Sequence, residues 1–296
     1  MSDRPWHNPE LAAEIHAVLD GYTLLVNVSG GKDSSATVLY LQEMGLPYIA
    51  VMANTGWEHP ATIDYVTNVL PKWLGKINLL ETPGMYKSIQ DKAMFPSRLR
   101  RFCTTDLKVK PIVQFANTLN KDAICNVIGV RSQESKARSL QNCIDDVSDA
   151  GLPWDLVWKP LFYWPLSWVL GIHKYYGLPL NPLYNQGASR VGCWPCIFSR
   201  KAEIRMVADT DPDRIDLIRS MERKLSKPDR PYTYFQNPQG IRGADGKKIA
   251  YTPIDDVVAW SRTKRGGKEF EPFVPDLDGC ARWGFCDFNV NTEGEP

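Results

Sequence analysis

The chain is 296 residues long, 43% hydrophobic, with a formal net charge of +1; this suits a protein that buries a real core and argues against a globally basic nucleic-acid binder, while a local basic patch stays allowed. No apolar run approaches the roughly 20 residues needed to span a bilayer, and the opening Met-Ser-Asp-Arg-Pro-Trp-His has no apolar signal segment, so a cytoplasmic protein without membrane contact is expected. In a reducing compartment, seven cysteines point to metal binding or catalysis more than to disulfides.

Strand and helix patterns alternate from the start. Residues 22–28 read as a buried strand and 34–44 as a helix. Between them stands Ser29-Gly30-Gly31-Lys32-Asp33-Ser34-Ser35. The two glycines let the backbone turn tightly and bring its N–H groups close to a ligand. The helix behind offers the positive end of its dipole and free N–H groups. Lys32 adds a full charge, and Ser29, Ser34 and Ser35 add hydroxyl donors. Such a turn binds a phosphate or pyrophosphate; the Gly-x-x-x-x-Gly-Lys spacing of a Walker loop is absent. The blander reading of the same residues is a Gly-Gly turn with a polar helix cap.

Residues 48–53 form a second strand, closed by Asn54-Thr55-Gly56, and 59–70 a helix with Pro60 suited to its first turn. A third strand covers 77–81, and a helix over 106–119 takes Asp106 as its expected cap. Residues 123–130 and 156–159 read as fourth and fifth strands, and 165–176 as a helix ended by Gly177. The pattern predicts an α/β fold, a Rossmann-like parallel sheet sandwiched by helices. Ligands then sit at the carboxyl ends of the strands, where Ser29, Asn54 and Arg131 fall. Arg131 is expected to reach a phosphate or the substrate, the alternative being a surface pair with Glu134; Lys108 and Arg190 are similar candidates.

After about residue 197 the pattern changes to helices over 201–208, 212–225 and 255–261, with Pro- and Gly-rich sequence between and a loop-like tail. The expected division is a nucleotide-binding domain over 1–197 and a helical and loop extension over 198–296. Segment 219–268 holds twelve Lys and Arg against five Asp and Glu, a net of +7, with Tyr232, Tyr234, Phe235, Tyr251 and Trp260 interspersed. Basic groups neutralise phosphates and aromatic faces stack on bases, so this stretch is a candidate DNA or RNA surface. A solvated helix face with small-core aromatics is the alternative.

Gly192-Cys193-Trp194-Pro195-Cys196 is the second strong signal. A Cys-x-x-Cys binds zinc, holds an iron–sulfur cluster or performs redox exchange. A four-thiolate site needs two more cysteines, and Cys103, Cys280 and Cys286 are the candidates. The tail from Gly279 to Asp287 carries two thiols and little else to order it. Cys125, inside a strand pattern, reads as core packing, and Cys143 gives no signal.

Ser-Gly-Gly-x-Asp-Ser resembles the pyrophosphate loop of the adenine nucleotide alpha hydrolases, which cut ATP between its α and β phosphates and place AMP on a substrate. Five segments together resemble the phosphoadenosine phosphosulfate reductase family in its broad sense. They are residues 29–35, Asn54-Thr55-Gly56-Trp57-Glu58-His59-Pro60, Arg101-Phe102-Cys103-Thr104-Thr105-Asp106-Leu107-Lys108, Gly129-Val130-Arg131-Ser132-Gln133-Glu134-Ser135-Lys136-Ala137-Arg138, and Asn181-Pro182-Leu183-Tyr184 through Cys196. They cover roughly residues 20 to 200. The pattern is also similar to phage-borne members of this family and to the ATP-pyrophosphatase subunit of DNA phosphorothioation.

The resemblance implies an adenine nucleotide alpha hydrolase-like fold whose C-terminal extension closes a metal site. In the iron–sulfur adenylylsulfate reductases a Cys-Cys pair and a later Cys-x-x-Cys bind a [4Fe–4S] cluster. Cys103 matches the second member of the pair, Phe102 stands at the first, and Cys193 and Cys196 match the later motif. A tail cysteine, Cys286 ahead of Cys280, is inferred as the fourth ligand; the alternatives are an open iron, as in related tRNA thiolation enzymes, or a zinc site. The intact loop and the lack of a Glu-Cys-Gly-Leu-His type motif imply an ATP pyrophosphatase: Asp33 holding magnesium, Lys32 and the loop amides stabilising the leaving pyrophosphate, and Asn54, where relatives often carry Asp, leaving its backbone to contact adenine. The expectation is adenylyl transfer in sulfur chemistry, with a sulfur donor such as a cysteine desulfurase. The alternatives are a thiol-dependent sulfonucleotide reductase, with Cys280 or Cys286 as nucleophile, and a non-catalytic, nucleotide-sensing, cluster-bearing subunit.

Overall fold

The computed structural model describes residues 4–97, 99–134, 136–227, 231–235 and 251–263. Six strands, β1 (Thr23–Asn27), β2 (Tyr48–Asn54), β3 (Ile77–Glu81), β4 (Ile124–Ile128), β5 (Ile144–Asp146) and β6 (Leu156–Trp158), form one sheet in the order β3-β2-β1-β4-β6-β5. Leu24 of β1 stands beside Tyr48 on one side and Cys125 on the other, and both neighbours run parallel to it. The chain moves outward from β1 in one direction through β2 and β3 and in the other through β4. A crevice therefore opens at the carboxyl ends of β1 and β4, where strand order reverses.

The sheet departs from the all-parallel expectation at one edge. β5 pairs antiparallel with β6, Ile144 opposite Trp158. Its three residues, Ile-Asp-Asp, are too short and too acidic to carry a strand pattern in sequence, and such charge suits an edge that discourages further pairing.

The helices are α1 (Pro9–Val18), α2 (Lys32–Glu43), α3 (Pro60–Asp64), α4 (Pro71–Leu74), α5 (Met85–Lys92), α6 (Phe102–Thr104), α7 (Lys110–Thr118), α8 (Lys136–Ser139), α9 (Leu166–Tyr176), α10 (Pro182–Asn185), α11 (Lys201–Thr210), α12 (Pro212–Leu225) and α13 (Ile254–Ser261). β1 sends alternate side chains to opposite faces. Leu24 and Val26 join Val38 and Leu41 of α2 and Val169 and Ile172 of α9. Leu25 joins Val51, Ala116 of α7 and Trp154 on the other face. Each such fully buried Leu or Val contributes roughly 1.5–3 kcal/mol.

Two helices expected to be continuous are interrupted. A π turn over Tyr65–Val69 separates α3 from α4, and Leu70 N–H reaches back to Tyr65 O at 2.8 Å. A second, over Thr105–Val109, separates α6 from α7. Pro71 and Pro111 follow these turns and lack the N–H an unbroken helix would use. Asp106 consequently lies inside the second turn and does not cap a helix; its carboxylate pairs with Lys92 at 3.0 Å and Lys110 at 2.6 Å.

A third apolar cluster joins residues on both sides of position 197, with Trp57, Phe102, Leu183 and Trp194 packed with Ile204, Ile215, Tyr234 and Ile254. Among the described residues no helix is long and apolar enough to cross a membrane.

Candidate functional site

Beyond β1, Val28 N–H still donates to Val51 O at 2.8 Å before the chain turns. Gly30 takes a φ of +71°, and a Cβ there would lie 2.9 Å from Thr62 Cγ2 and 3.0 Å from Val66 Cγ2. Both backbone angle and space thus require glycine. Gly31 is the N-cap of α2 and receives no side-chain cap. Ser34 Oγ accepts from Ser29 N–H at 3.1 Å and donates to Gly31 O at 3.0 Å; Ser35 Oγ donates to Gly31 O at 3.1 Å. The Ser34 and Ser35 hydroxyls thus brace the turn through Gly31 O, and Ser34 Oγ also lies 3.1 Å from Ser29 Oγ.

The amides behave differently. Among the described residues, the N–H groups of Gly30, Gly31, Asp33 and Ser34 meet no acceptor. Those of Asp33 and Ser34 belong to the first turn of α2 and point out of its N-terminal end. Lys32 N–H is taken by the Tyr184 hydroxyl at 3.1 Å. The arrangement is a nest of backbone donors at the positive end of a 12-residue helix.

Charge gathers at the same place. Lys32 Nζ lies 3.2 Å from Asp33 Oδ2 and 5.2 Å from the centre of the Tyr184 ring. Arg131 Nε lies 2.5 Å from Asp33 Oδ1. Burial disfavours the ionised Asp33 carboxylate, but Lys32 and Arg131 together outweigh it and hold its pKa below the ordinary value. The Arg131 guanidinium thus meets Asp33 and not Glu134, whose carboxylate accepts Arg131 N–H at 2.8 Å and pairs with Arg138. Gly129 makes this approach possible, since a Cβ there would stand 2.9 Å from Asp33 O, Ser34 Cα and Ser34 N. Asn54 lies at the carboxyl end of neighbouring β2, but its Oδ1 accepts Gly56 N–H at 3.0 Å. Arg190 is held by Glu203 and Phe198 O.

The Cys-x-x-Cys loop docks on the β2 end of the crevice. Cys193 forms an antiparallel bridge with Glu58, and Trp194 N–H donates to Trp57 O at 2.8 Å. Trp57 Nε1 donates to Pro195 O at 3.0 Å, and the buried Tyr234 hydroxyl donates to the same carbonyl at 2.7 Å. Glu58 itself is buried, accepting from Thr55 N–H and Thr55 Oγ1 at 3.1 and 2.7 Å.

Cys103, Cys193 and Cys196 lie close enough to perturb one another electrostatically, with Lys108 beside them. Burial raises the Cys193 thiol to about 11, with Lys108 pulling the other way. The Lys108 ammonium is raised, chiefly by Cys193. Phe198 N–H points at Cys196 Sγ at 3.5 Å. Three soft sulfur donors, an adjacent cation and a backbone N–H on sulfur suit the chemistry of a thiolate-bound iron–sulfur group. Among the described residues, no three His, Cys, Asp or Glu side chains are arranged to hold a metal ion as they stand. Phe102 is buried in the apolar cluster, and Cys280 and Cys286 lie outside the described residues. Cys125 is fully buried on β4, and Cys143 Sγ donates to Lys159 O at 3.3 Å.

Part of the 219–268 segment also lies outside the described residues. Within the rest, Tyr234 and Phe235 are buried in the third cluster and present no face for stacking, which corrects that expectation. Arg219 pairs with Asp216 and Asp255, and Arg262 with Asp209.

Sequence reasoning missed Asn181, His173 and Tyr184 as neighbours of the turn. Asn181 Nδ2 donates to Gly30 O at 3.2 Å, and His173 Nε2 meets Lys32 O at 2.8 Å. The signals were the Asn181-Pro182-Leu183-Tyr184 segment and, for His173, a histidine on the apolar face of α9.

The sequence profile of the phosphoadenosine phosphosulfate reductase domain matches residues 23–199. The chain is similar to an uncharacterized 37.8 kDa protein in the gpa 5' region of Escherichia phage 186, 28% identical over 83% of this chain and 90% of that protein. It is 26% identical to an uncharacterized protein of Methanocaldococcus jannaschii over 62% of this chain, and spans 38% of that protein's length. It is 25% identical to the adenosine 5'-phosphosulfate reductase of Burkholderia cepacia, over 64% of this chain and 78% of that enzyme.

Proposed function

The chain belongs to the phosphoadenosine phosphosulfate reductase domain family, and from that premise we propose that it is an ATP-dependent adenylyl-transfer enzyme in sulfur chemistry. The observation that carries this reading is the nest of unsatisfied amides at Gly30, Gly31, Asp33 and Ser34, with Lys32 and Arg131 beside it. The nest binds the β and γ phosphates. An acceptor oxygen attacks the α phosphorus, the α–β bridging bond breaks, and pyrophosphate leaves carrying the bridging oxygen. Lys32, Arg131 and the amides offset the charge growing on that leaving group, each donor contributing about 3 kcal/mol. Asp33 is the carboxylate that would hold magnesium, which would supply charge neutralisation of the phosphate chain.

Cys103, Cys193 and Cys196 would hold an iron–sulfur cluster, with Cys286 or Cys280 as fourth ligand, and the cluster would supply a site for sulfur. A nucleic acid is the acceptor class that fits the +7 charge of segment 219–268. Pyrophosphate release from magnesium ATP, assayed with anaerobically purified protein and candidate acceptors, tests the reading; ADP and phosphate as products, or no ATP binding, would overturn it. A second reading is a sulfonucleotide reductase, favoured by the likeness to the Burkholderia cepacia enzyme. Sulfite formed from adenylyl or phosphoadenylyl sulfate with a thiol reductant would establish it.

A further inference from the structure

Three side chains from the second half of the chain grip the backbone of the 29–35 turn. Tyr184 Oη accepts Lys32 N–H at 3.1 Å. Asn181 Nδ2 donates to Gly30 O at 3.2 Å, while Asn181 Oδ1 accepts Leu183 N–H at 3.0 Å, which fixes its amide orientation. His173 Nε2 lies 2.8 Å from Lys32 O, and Nδ1 lies 3.4 Å from Leu178 O. Burial pushes the His173 imidazole below its ordinary value, while the carbonyl contacts of Lys32 and Leu178 pull the other way. The shorter contact, to a carbonyl that can only accept, assigns an N–H to Nε2.

A trans peptide unit is planar, with its C=O and N–H pointing in opposite directions. Gly30 C=O shares its peptide with Gly31 N–H, and Lys32 C=O shares its peptide with Asp33 N–H. Holding either carbonyl from behind therefore aims the amide in front. We propose that Asn181 and His173 are positioning residues that aim the Gly31 and Asp33 amides at a bound phosphate chain. The assignment rests on the reading of the 29–35 turn as a pyrophosphate site. It splits the amide nest by function: Asn181 and His173 orient two donors, and Tyr184 withdraws the Lys32 amide from the nest. Both orienting side chains are buried, at 1% and 3% exposure, so neither touches the ligand in order to act.

The test is equilibrium titration of the full chain with magnesium ATP, inorganic pyrophosphate and AMP, alongside thermal melting. Asn181→Asp keeps the acceptor for Leu183 and removes the donor to Gly30. His173→Leu removes the donor to Lys32, whereas His173→Gln keeps an N–H there. Asn181→Asp and His173→Leu are expected to weaken ATP and pyrophosphate by roughly tenfold each, with AMP affinity unchanged and His173→Gln largely restored. Variants that bind pyrophosphate as well as the parent, or that lose AMP and pyrophosphate equally, would overturn the positioning role while leaving the site reading intact. A parent protein that binds no pyrophosphate would overturn the site reading and this assignment with it.

Discussion

Arg131 and Asp33, 98 positions apart in sequence, meet at 2.5 Å at the head of α2. The contact joins the carboxyl end of β4 to the turn after β1, across the point where strand order reverses. Asp33 also faces Lys32, so two cations share one carboxylate whose side chain is 15% exposed. A carboxylate has about four lone-pair sites, which leaves room for a further electrophile.

Because this pairing depresses the folded-state pKa of Asp33, its contribution is present above the unfolded value of about 3.9 and is lost as pH falls through the folded value. Arg131→Met is expected to destabilise the protein by about 3 kcal/mol at pH 7. The penalty is expected to shrink as pH falls from the ordinary carboxylate range toward the depressed folded value of Asp33, and to level off below it. Urea melts stepped from pH 7 down through the acid range measure this, and a penalty that stays constant over the whole range would contradict it.

Gly129→Ala forces a methyl group against the first turn of α2, with backbone atoms at 2.9 Å that cannot rotate away. A loss of about 1–3 kcal/mol is expected, together with weakened ATP binding. Gly192→Ala is the control, since a Cβ there meets nothing within 4 Å. Similar melting curves for the two variants would refute the close-approach argument.

Tyr234→Phe removes the hydroxyl that donates to Pro195 O and accepts from Trp57 Nε1. Trp57 Nε1 keeps its own bond to Pro195 O, so the cost is expected at only about 1 kcal/mol. Chemical denaturation reads it, and a loss several times larger would mean that the Cys-x-x-Cys loop depends on this hydroxyl alone.

Iron and sulfide content after anaerobic purification separates the cysteines. Serine at Cys103, Cys193 or Cys196 is expected to lower it sharply, whereas serine at Cys125 or Cys143 leaves it unchanged. Cys125, raised to about 12 by burial, is also expected to resist alkylation in the native protein. Iron loss on Cys125→Ser alone, or none on Cys193→Ser, would reject the thiol grouping.

The sheet and the tight turn after β1 are legible in sequence because both rest on local chemistry: apolar runs for β1 to β4, and glycines beside a lysine at 30–32. Arg131 follows the end of β4 in sequence as well as in space, but its partner is not legible there, because only the fold brings Asp33 within reach. The π turns escaped because their cause, Pro71 and Pro111, also suits an ordinary helix start. Asn181 and His173 act on backbone atoms 151 and 141 residues away, and no periodicity encodes such a pairing. For Tyr234 and Phe235 the sequence leaves stacking faces and small-core aromatics equally open, and the third apolar cluster decides for the core.

Titration of the anaerobically purified chain and of Lys32→Met with magnesium ATP, pyrophosphate and AMP decides whether the 29–35 turn holds a phosphate chain. The parent is expected to bind ATP and pyrophosphate, with at least roughly tenfold loss of both in the variant and no change for AMP. Indistinguishable ATP affinities for the two proteins, or a parent that binds AMP as tightly as ATP, would contradict it.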